Sequence, residues 1–497
     1  MLQKIHNKYN LFITIIPLLM LGIISSILMI FLNETNLFIN NQLKSFIDNF
    51  SWYYLLIGFG AVFTLIILSF SKYGKVKLGN LEKPKYSNFT WASMIYTSTM
   101  AADLIYYSLH DWMNYYSQSS IIGTGSSVDL ALRYPLFHFG PTPWAFYILP
   151  AVAYAYWMFV RNKNITKMSD ALFLKNFKVS KVVDVFTIIS VLIAASVTLT
   201  ISVSLTPVCI NELFGFTNLQ ITSILVILGI GILYTLAIVN RNGIERLATS
   251  NVKLYYILFA IFLITPSVGF IFDSIPSSLG GLIHNFIPMS LNTDPSRMQQ
   301  GFVQDYTVFY WAYWIAWAVS VPIFIGKISE GRTIRNMIFG GMGAGILGGF
   351  TSFWIFGNYG LAQQVSGNVD LIRMYSSGMS VGFVIIEIFK TFPSIIPQIL
   401  MALIAIIMMM QNATTLDSMI LITSESSYVN KIDQENPSKK MKIYWSLLFM
   451  ILPIVFILNH NTISSLQTIL IFLGLPMSLI LLRIVVLFIK DLRKNVV

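Results

Sequence analysis

Four aromatic side chains recur at helical spacing in the second half of the chain. They are Tyr310, Tyr313, Trp314 and Trp317. Their i, i+3, i+4, i+7 spacing places all four on one face of a helix. The ring faces of Trp and Tyr attract cations that cannot donate hydrogen bonds, and each ring contributes roughly 0.5 to 2 kcal/mol. The pattern indicates a site for a quaternary ammonium group, with an ordinary core or membrane-interface stripe as the alternative.

An acidic residue interrupts an apolar run in the first half of the chain. Asp103 lies in the segment YTSTMAADLIYY, residues 96–107. A carboxylate in the middle of a membrane span costs about 2.5 to 3.5 kcal/mol to insert, so it rarely occurs without a partner or a water-filled cavity. Met100 and Tyr107 share its helical face and would add a thioether and a ring to the same pocket. We favour a binding or coupling role, with a structural ion pair or a protonated carboxyl as the alternative.

The composition indicates a polytopic helical membrane protein. Of the 497 residues, 56% are hydrophobic and 11% are charged, and the mean hydropathy is +0.71. The net charge of +11 comes from Lys and Arg residues that cluster in alternate loops, which is typical of cytoplasmic loops and not of a nucleic-acid surface. About twelve spans are predicted, with both termini cytoplasmic. The single cysteine, Cys209, excludes a disulfide framework.

The order of the predicted spans indicates two inverted repeats in a single transmembrane domain, residues 1–497. Two extra helices occupy residues 1–75, and five spans follow in each of the ranges 88–273 and 305–490. Because five is an odd number, the second set is inverted relative to the first. Transporters of this kind bind substrate near the midplane, where the first helices of the repeats lie, and here those helices carry Asp103 and Trp314. No nucleotide-binding loop, catalytic triad or His/Glu metal spacing occurs, so an enzyme is not expected.

Several segments resemble the betaine/choline/carnitine transporter family. They are TDPSRMQQGFVQDYTVFYWAYWIAW (293–317), KISEGRTIR (327–335), FHFGPTPWAFY (137–147), VVDVF (182–186), the region 354–360 and TTLDS (414–418). The resemblance covers nearly the whole chain from about residue 75 onward. It implies an all-α fold of twelve spans with two inverted five-helix repeats. It also implies a plasma-membrane symporter that imports a quaternary ammonium compound by alternating access.

The resemblance implies a set of substrate-binding residues. Trp144 and Tyr147 in the fourth span and Trp314 in the eighth match the aromatic box of the family. Trp317 matches a further tryptophan of the permeation path. Two positions depart from the family pattern, because Phe139 stands where Trp is usual and Tyr313 replaces one of two adjacent tryptophans. Both positions remain aromatic, so a cation site is still expected.

The third span indicates which member of the substrate class is bound. Thr99, Ala101 and Asp103 occupy the positions of three alternating glycines in betaine carriers, and the aspartate resembles choline-type members. Glycine betaine brings its own carboxylate, which an aspartate would repel, whereas choline carries a net charge of +1 and needs a counter-charge. Choline or a similar compound, taken up for osmoprotection or nutrition, is therefore the predicted substrate. A glycine betaine or carnitine carrier and a non-transporting membrane sensor remain alternatives.

The coupling ion remains open between sodium and a proton, and no other cofactor or metal is expected. The groups that the resemblance implies for sodium are Thr414, Thr415, Ser196, Thr198 and a main-chain carbonyl near Met100. A proton could instead be taken up by Asp103.

Two further segments carry weaker expectations. His110 and Asp111 are expected at the solvated outer end of the third span, with a gating role as the alternative. Residues 275–285 resemble the amphipathic helix that forms the trimer contact of the family, so a homotrimer is expected from the resemblance alone.

Overall fold

The computed structural model describes residues 11–30, 32–97, 101–240, 242–428, 437–458 and 463–495. Within these ranges the chain is helical and contains no β-strand beyond a single antiparallel bridge between Lys77 and Thr333. The predicted Met100 and Thr99 lie outside the described residues. The all-helical class is confirmed.

The helices follow one another with short connections. The first seven are α1 (Leu11–Ile30), α2 (Leu32–Phe70), α3 (Asn88–Thr97), α4 (Ala101–Ser117), α5 (Ser119–Ile122), α6 (Ser127–His138) and α7 (Pro141–Phe159). The next seven are α8 (Met168–Ala171), α9 (Phe177–Phe214), α10 (Leu219–Val239), α11 (Gly243–Leu263), α12 (Val268–Leu291), α13 (Phe309–Trp317) and α14 (Val321–Ile328). The last seven are α15 (Ile334–Ser352), α16 (Asn358–Val365), α17 (Leu371–Ser376), α18 (Val381–Lys390), α19 (Ile396–Ser426), α20 (Lys439–Leu458) and α21 (Ile463–Asn495).

The length and hydropathy of these helices fit a membrane protein. Among the described residues, eight helical segments are long and apolar enough to cross a bilayer, and α13 with α14 makes a ninth if the bent pair is one span. Several spans are therefore established. The count of twelve, the two inverted repeats and the orientation of the termini remain predictions.

The longest buried helix lies at the centre of the molecule. α9 runs for 38 residues from an Asn176 cap, and its middle is buried all round. It packs most extensively against α19 and also contacts α4 and α13. Because α9 touches the helices that carry Asp103, Trp314 and Thr415, it forms the common wall of the region described below.

A buried arginine anchors the start of α3. The Arg332 guanidinium donates to the side-chain oxygens of Asn88 at 2.8 Å and Asn336 at 2.9 Å. It also lies 3.9 Å from the ring centroid of Trp91, within cation–π range. The Trp91 indole donates to Ser329, so the loop before α15 and the first turn of α3 are held together. This connection fixes the base of the helix pair that leads to Asp103.

Candidate cation-binding site

A helix break between α6 and α7 exposes main-chain groups near the centre of the molecule. The sequence there reads HFGPTP, and Pro141 and Pro143 have no N–H with which to continue the ladder of α6. A Cβ at Gly140 would lie 2.2 Å from a backbone carbonyl oxygen, so only glycine fits the turn. The freed carbonyl oxygen of His138 accepts a hydrogen bond from the indole Nε1 of Trp314 at 2.9 Å. The break therefore supplies an acceptor that orients a predicted site residue.

A second break divides the aromatic helix itself. α13 ends at Trp317, and α14 begins at Val321 after a bend of 57°. A π-helical turn, Val303–Val308, precedes α13 and widens its entry. π-Turns of this kind occur frequently at functional sites. The aromatic face of α13 thus lies between two irregular segments.

Five of the predicted aromatic residues form one contiguous group of buried rings, which we term the central ring cluster. Its members are Tyr107, Phe139, Tyr313, Trp314 and Trp317. Tyr313 lies 4.9 Å from Trp314 and 6.3 Å from Trp317, measured between ring centroids. Phe139 lies 5.2 Å from Trp314 and 5.3 Å from Tyr107. The structure therefore joins residues from α4, α13 and the α6–α7 break.

The other two aromatic residues of the predicted box form a separate pair. Trp144 and Tyr147 contact each other with centroids 6.0 Å apart, and no ring contact in the described part of the chain links them to the central ring cluster. The Trp144 indole fills the space above Gly345 on α15, where a Cβ would lie 2.1 Å from the ring. Tyr147 lies in the surroundings of Asp103. The predicted box is thus divided into two groups that both approach this carboxylate.

Asp103 is the buried charge of the site. It lies in the first turn of α4 and is 2% exposed. The Tyr313 phenol donates to its Oδ2 at 3.3 Å, whereas Oδ1 has no hydrogen-bond partner. No ion pair in the described part of the chain involves Asp103. A carboxylate buried this way requires a cation or a proton to compensate its charge.

The four hydroxyl residues predicted for ion coupling differ in how they are bonded. Ser196 donates to the backbone oxygen of residue 192 at 2.7 Å, and Thr414 donates to that of residue 411 at 2.8 Å. The hydroxyls of Thr198 and Thr415 are buried without a hydrogen-bond partner, and Thr198 lies beside the Asp103 carboxyl. α9 and α19 are continuous where these residues lie, so their main-chain carbonyls stay within the helical ladders.

A cavity of about 540 Å³ borders the central ring cluster. Its walls include the side chains of Tyr107, Asp111, Asp305, Tyr306, Tyr310 and Tyr375. None of the described residues that line it is Lys or Arg. Because Tyr107 belongs both to the cavity and to the ring cluster, a solute in the cavity reaches the rings directly. The carboxyl groups and tyrosine rings suit a cationic solute.

The expectation of a solvated end at His110 and Asp111 was wrong. His110 is 5% exposed and Asp111 is fully buried, because the aromatic residues of α13 and the π-helical turn cover this part of α4. Tyr310 and Tyr115 both donate to the Asp111 carboxylate. The i, i+4 spacing of Asp111 and Tyr115 is a signal for a polar contact that the sequence offered. Hydropathy alone gave no indication of its partner on α13.

A multi-pass helical protein with broken helices around a buried carboxylate and ring cluster belongs to the class of small-solute transporters. The betaine/carnitine/choline transporter family matches residues 12–497, and the chain belongs to this family. It is therefore a transporter and not an enzyme.

Two relatives illustrate the range of the family. The chain is 29% identical over 443 residues to a carnitine transporter of Acinetobacter baumannii, an alignment that covers 86% of this chain and 79% of the relative. It is 28% identical over 469 residues to the glycine betaine transporter OpuD of Bacillus subtilis, covering 92% of this chain and 90% of the relative. The predicted family is thus confirmed. Neither relative is named as a choline carrier.

Proposed function

We propose that the protein imports choline or a similar quaternary ammonium alcohol across the plasma membrane by alternating access. The observation that carries the proposal is the unpartnered Oδ1 of Asp103, buried beside a cluster of aromatic rings. Choline has one positive charge and no carboxylate, so it compensates Asp103 without introducing a second anion. The rings of Tyr313 and Trp314 supply the cation–π contact that replaces lost water.

The arrangement of the breaks supports a route for the substrate. With both termini cytoplasmic, as we propose, the cavity lined by Asp111 and Tyr310 opens to the outside. The ammonium group leaves this cavity past Tyr107 and enters the central ring cluster, where Asp103 neutralises it. Bending at the α6–α7 and α13–α14 breaks then closes the outer side and opens the inner side.

A glycine betaine or carnitine carrier is the second candidate. Both named relatives transport such compounds, and the indole Nε1 atoms of Trp144 and Trp317 are buried donors without a partner. A substrate carboxylate could accept from them if Asp103 carried a proton. Choline explains the aspartate more simply, because its single charge requires no protonation step.

We expect the wild-type protein to accumulate choline in preference to zwitterions. In cells that lack their own quaternary-amine carriers, unlabelled choline should compete with labelled choline at least about tenfold better than glycine betaine or carnitine, given the repulsion between carboxylates. Labelled choline uptake with each competitor measures this preference. Saturable uptake of betaine or carnitine with no uptake of choline would establish the second candidate.

We also propose that coupling uses the proton gradient, aided by the membrane potential, and not sodium. Two hydroxyl oxygens without partners, Thr198 and Thr415, fall short of the roughly six oxygen ligands that hard cations take, and the continuous α9 and α19 free no carbonyls beside them. The inside-negative potential itself drives a monovalent cation inward by about 2.3 kcal/mol per 100 mV.

Choline uptake by proteoliposomes should therefore persist in sodium-free potassium buffers with the potential set by valinomycin, and an inward proton gradient should increase it. A sodium requirement would contradict this prediction. If that requirement disappears in Thr415→Val and persists in Thr187→Val, coupling belongs to sodium at Thr415. Thr187 is the matched control because it is a buried threonine of α9 that donates to its own helix.

The homotrimer also remains a proposal. Residues 275–285 lie within α12, and this helix exposes apolar side chains, among them Phe272, Ile283 and Ile287. An exposed apolar face of this kind suits contact with lipid or with a second copy.

A further inference from the structure

His138 lies at the centre of a polar connection between three segments. It is fully buried at the end of α6. Its Nδ1 lies 2.7 Å from the Tyr115 hydroxyl on α4, and its Nε2 lies 3.0 Å from the Thr307 hydroxyl in the π-helical turn. Both ring nitrogens therefore have a partner, so the imidazole is held in one orientation.

Asp111 terminates the same connection. Its Oδ2 accepts from the Tyr115 hydroxyl at 3.0 Å. Its Oδ1 accepts from the Tyr310 hydroxyl at 2.9 Å and from Asn114 Nδ2 at 2.9 Å. In the described part of the chain all these donors are neutral, and no ion pair involves Asp111. The carboxylate thus collects three donors, and one of them belongs to the aromatic helix.

The donors and acceptors of this connection fit a single direction. The Tyr115 hydroxyl has one proton, and donating it to Asp111 leaves its oxygen to accept from His138 Nδ1–H. A neutral His138 then has Nε2 free to accept from Thr307. Every member is satisfied with His138 neutral and Asp111 ionised. A fully satisfied buried network of this kind holds its members rigidly.

Two rings of the aromatic helix are tied to this network at their polar ends. The Tyr310 hydroxyl is held by Asp111, while the Tyr310 ring stacks on His138 with centroids 4.7 Å apart. The Trp314 indole donates to the carbonyl oxygen of His138. Tyr310 and Trp314 also stack on each other, with centroids 6.2 Å apart and planes inclined by 20°. Their orientations are therefore set by groups that do not belong to the central ring cluster.

We infer that Asp111 and His138 are positioning residues that fix the Tyr310 and Trp314 rings and thereby set which sizes of quaternary ammonium group the site accepts. The inference rests on the proposed function only through its probe, a quaternary ammonium ion. Rings held in place present a cage of fixed width, and precise placement of this kind depends on supporting hydrogen bonds. Rings that have lost these bonds can turn aside for a larger cation.

The test compares binding of tetramethylammonium with binding of tetraethylammonium, followed by quenching of tryptophan fluorescence in the purified full-length protein. The readout is the ratio of the two half-saturation constants, because a change that only destabilises the fold would weaken both ligands alike. We expect the wild type to favour the smaller ion. Tyr310→Phe, which removes the bond to Asp111 and keeps the ring, should reduce this ratio about fivefold or more.

Tyr359→Phe is the matched control. Tyr359 is also buried, and its hydroxyl bonds to Thr391 at 2.7 Å outside the site. This variant should keep the wild-type ratio. Asp111→Asn should reduce the ratio as Tyr310→Phe does. The double variant should be no worse than the stronger single variant, because both changes remove one and the same restraint.

Three results would overturn the inference. They are an unchanged ratio in Tyr310→Phe, an equal change in Tyr359→Phe, and fully additive effects of the two site variants. If the wild type binds neither ammonium ion, the proposed function fails, and near-ultraviolet circular dichroism decides the inference. The tryptophan signal must then weaken in Tyr310→Phe and Asp111→Asn and persist in Tyr359→Phe. A signal that stays unchanged in the two site variants would sink it.

Discussion

Asp103→Asn is expected to reduce choline uptake, measured as Vmax/KM, by at least about a hundredfold. Two unit charges about 4 Å apart attract by about 4 kcal/mol at an effective dielectric constant of about 20, and the asparagine amide cannot supply that energy. The substitution preserves shape and leaves one oxygen to accept from Tyr313, which donates to Asp103 Oδ2. A loss of this size would therefore report the missing charge and not a collapsed pocket.

The matched control is Asp273→Asn, which removes one negative charge from an exposed position on α12. It should transport choline like the wild type. Membrane expression and thermal stability of both variants separate transport defects from folding defects. If Asp103→Asn accumulates choline within about twofold of wild type, Asp103 is not the counter-charge. A simultaneous gain of betaine uptake in Asp103→Asn would show instead that this carboxylate excludes zwitterions.

The sequence predicted the parts of the fold that depend on local pattern. Apolar length indicated the membrane class, and helical spacing placed Tyr313, Trp314 and Trp317 on one helix, where the structure brings them together. The break before α7 could also be read locally, because Pro141 and Pro143 lack the N–H that a continuous helix needs. These features depend on residues that are close neighbours in the chain.

Features that depend on packing between distant segments could not be predicted in the same way. The separation of Trp144 and Tyr147 from the central ring cluster depends on the space above Gly345, a residue about two hundred positions later. The burial of Asp111 depends on Tyr310, which covers it from another helix. A resemblance between sequences transfers residue identities, but each local packing arrangement has to be determined from the structure.

The aromatic contribution of Trp314 gives the second large expected effect. Trp314→Ala removes the most connected ring of the central ring cluster, since Trp314 contacts Phe139, Tyr313 and also Tyr310. The lost cation–π attraction is worth roughly 0.5 to 2 kcal/mol, and the neighbouring rings lose the contacts that keep them in place. Choline uptake should fall about thirtyfold or more. Trp314→Phe keeps a smaller ring face and should raise the half-saturation constant about tenfold.

The cationic nature of this effect can be isolated with dimethylbutanol, the neutral carbon isostere of choline. If Trp314 acts through its ring face, Trp314→Phe weakens inhibition by choline more than inhibition by the isostere, because only the former carries a charge. Trp445→Phe is the control, since Trp445 is buried on α20 and also loses an indole hydrogen bond, to Ser427. It should leave both inhibition constants within about twofold. Equal weakening of choline and isostere in Trp314→Phe would assign Trp314 to shape complementarity and leave Asp103 as the principal determinant of the charge preference.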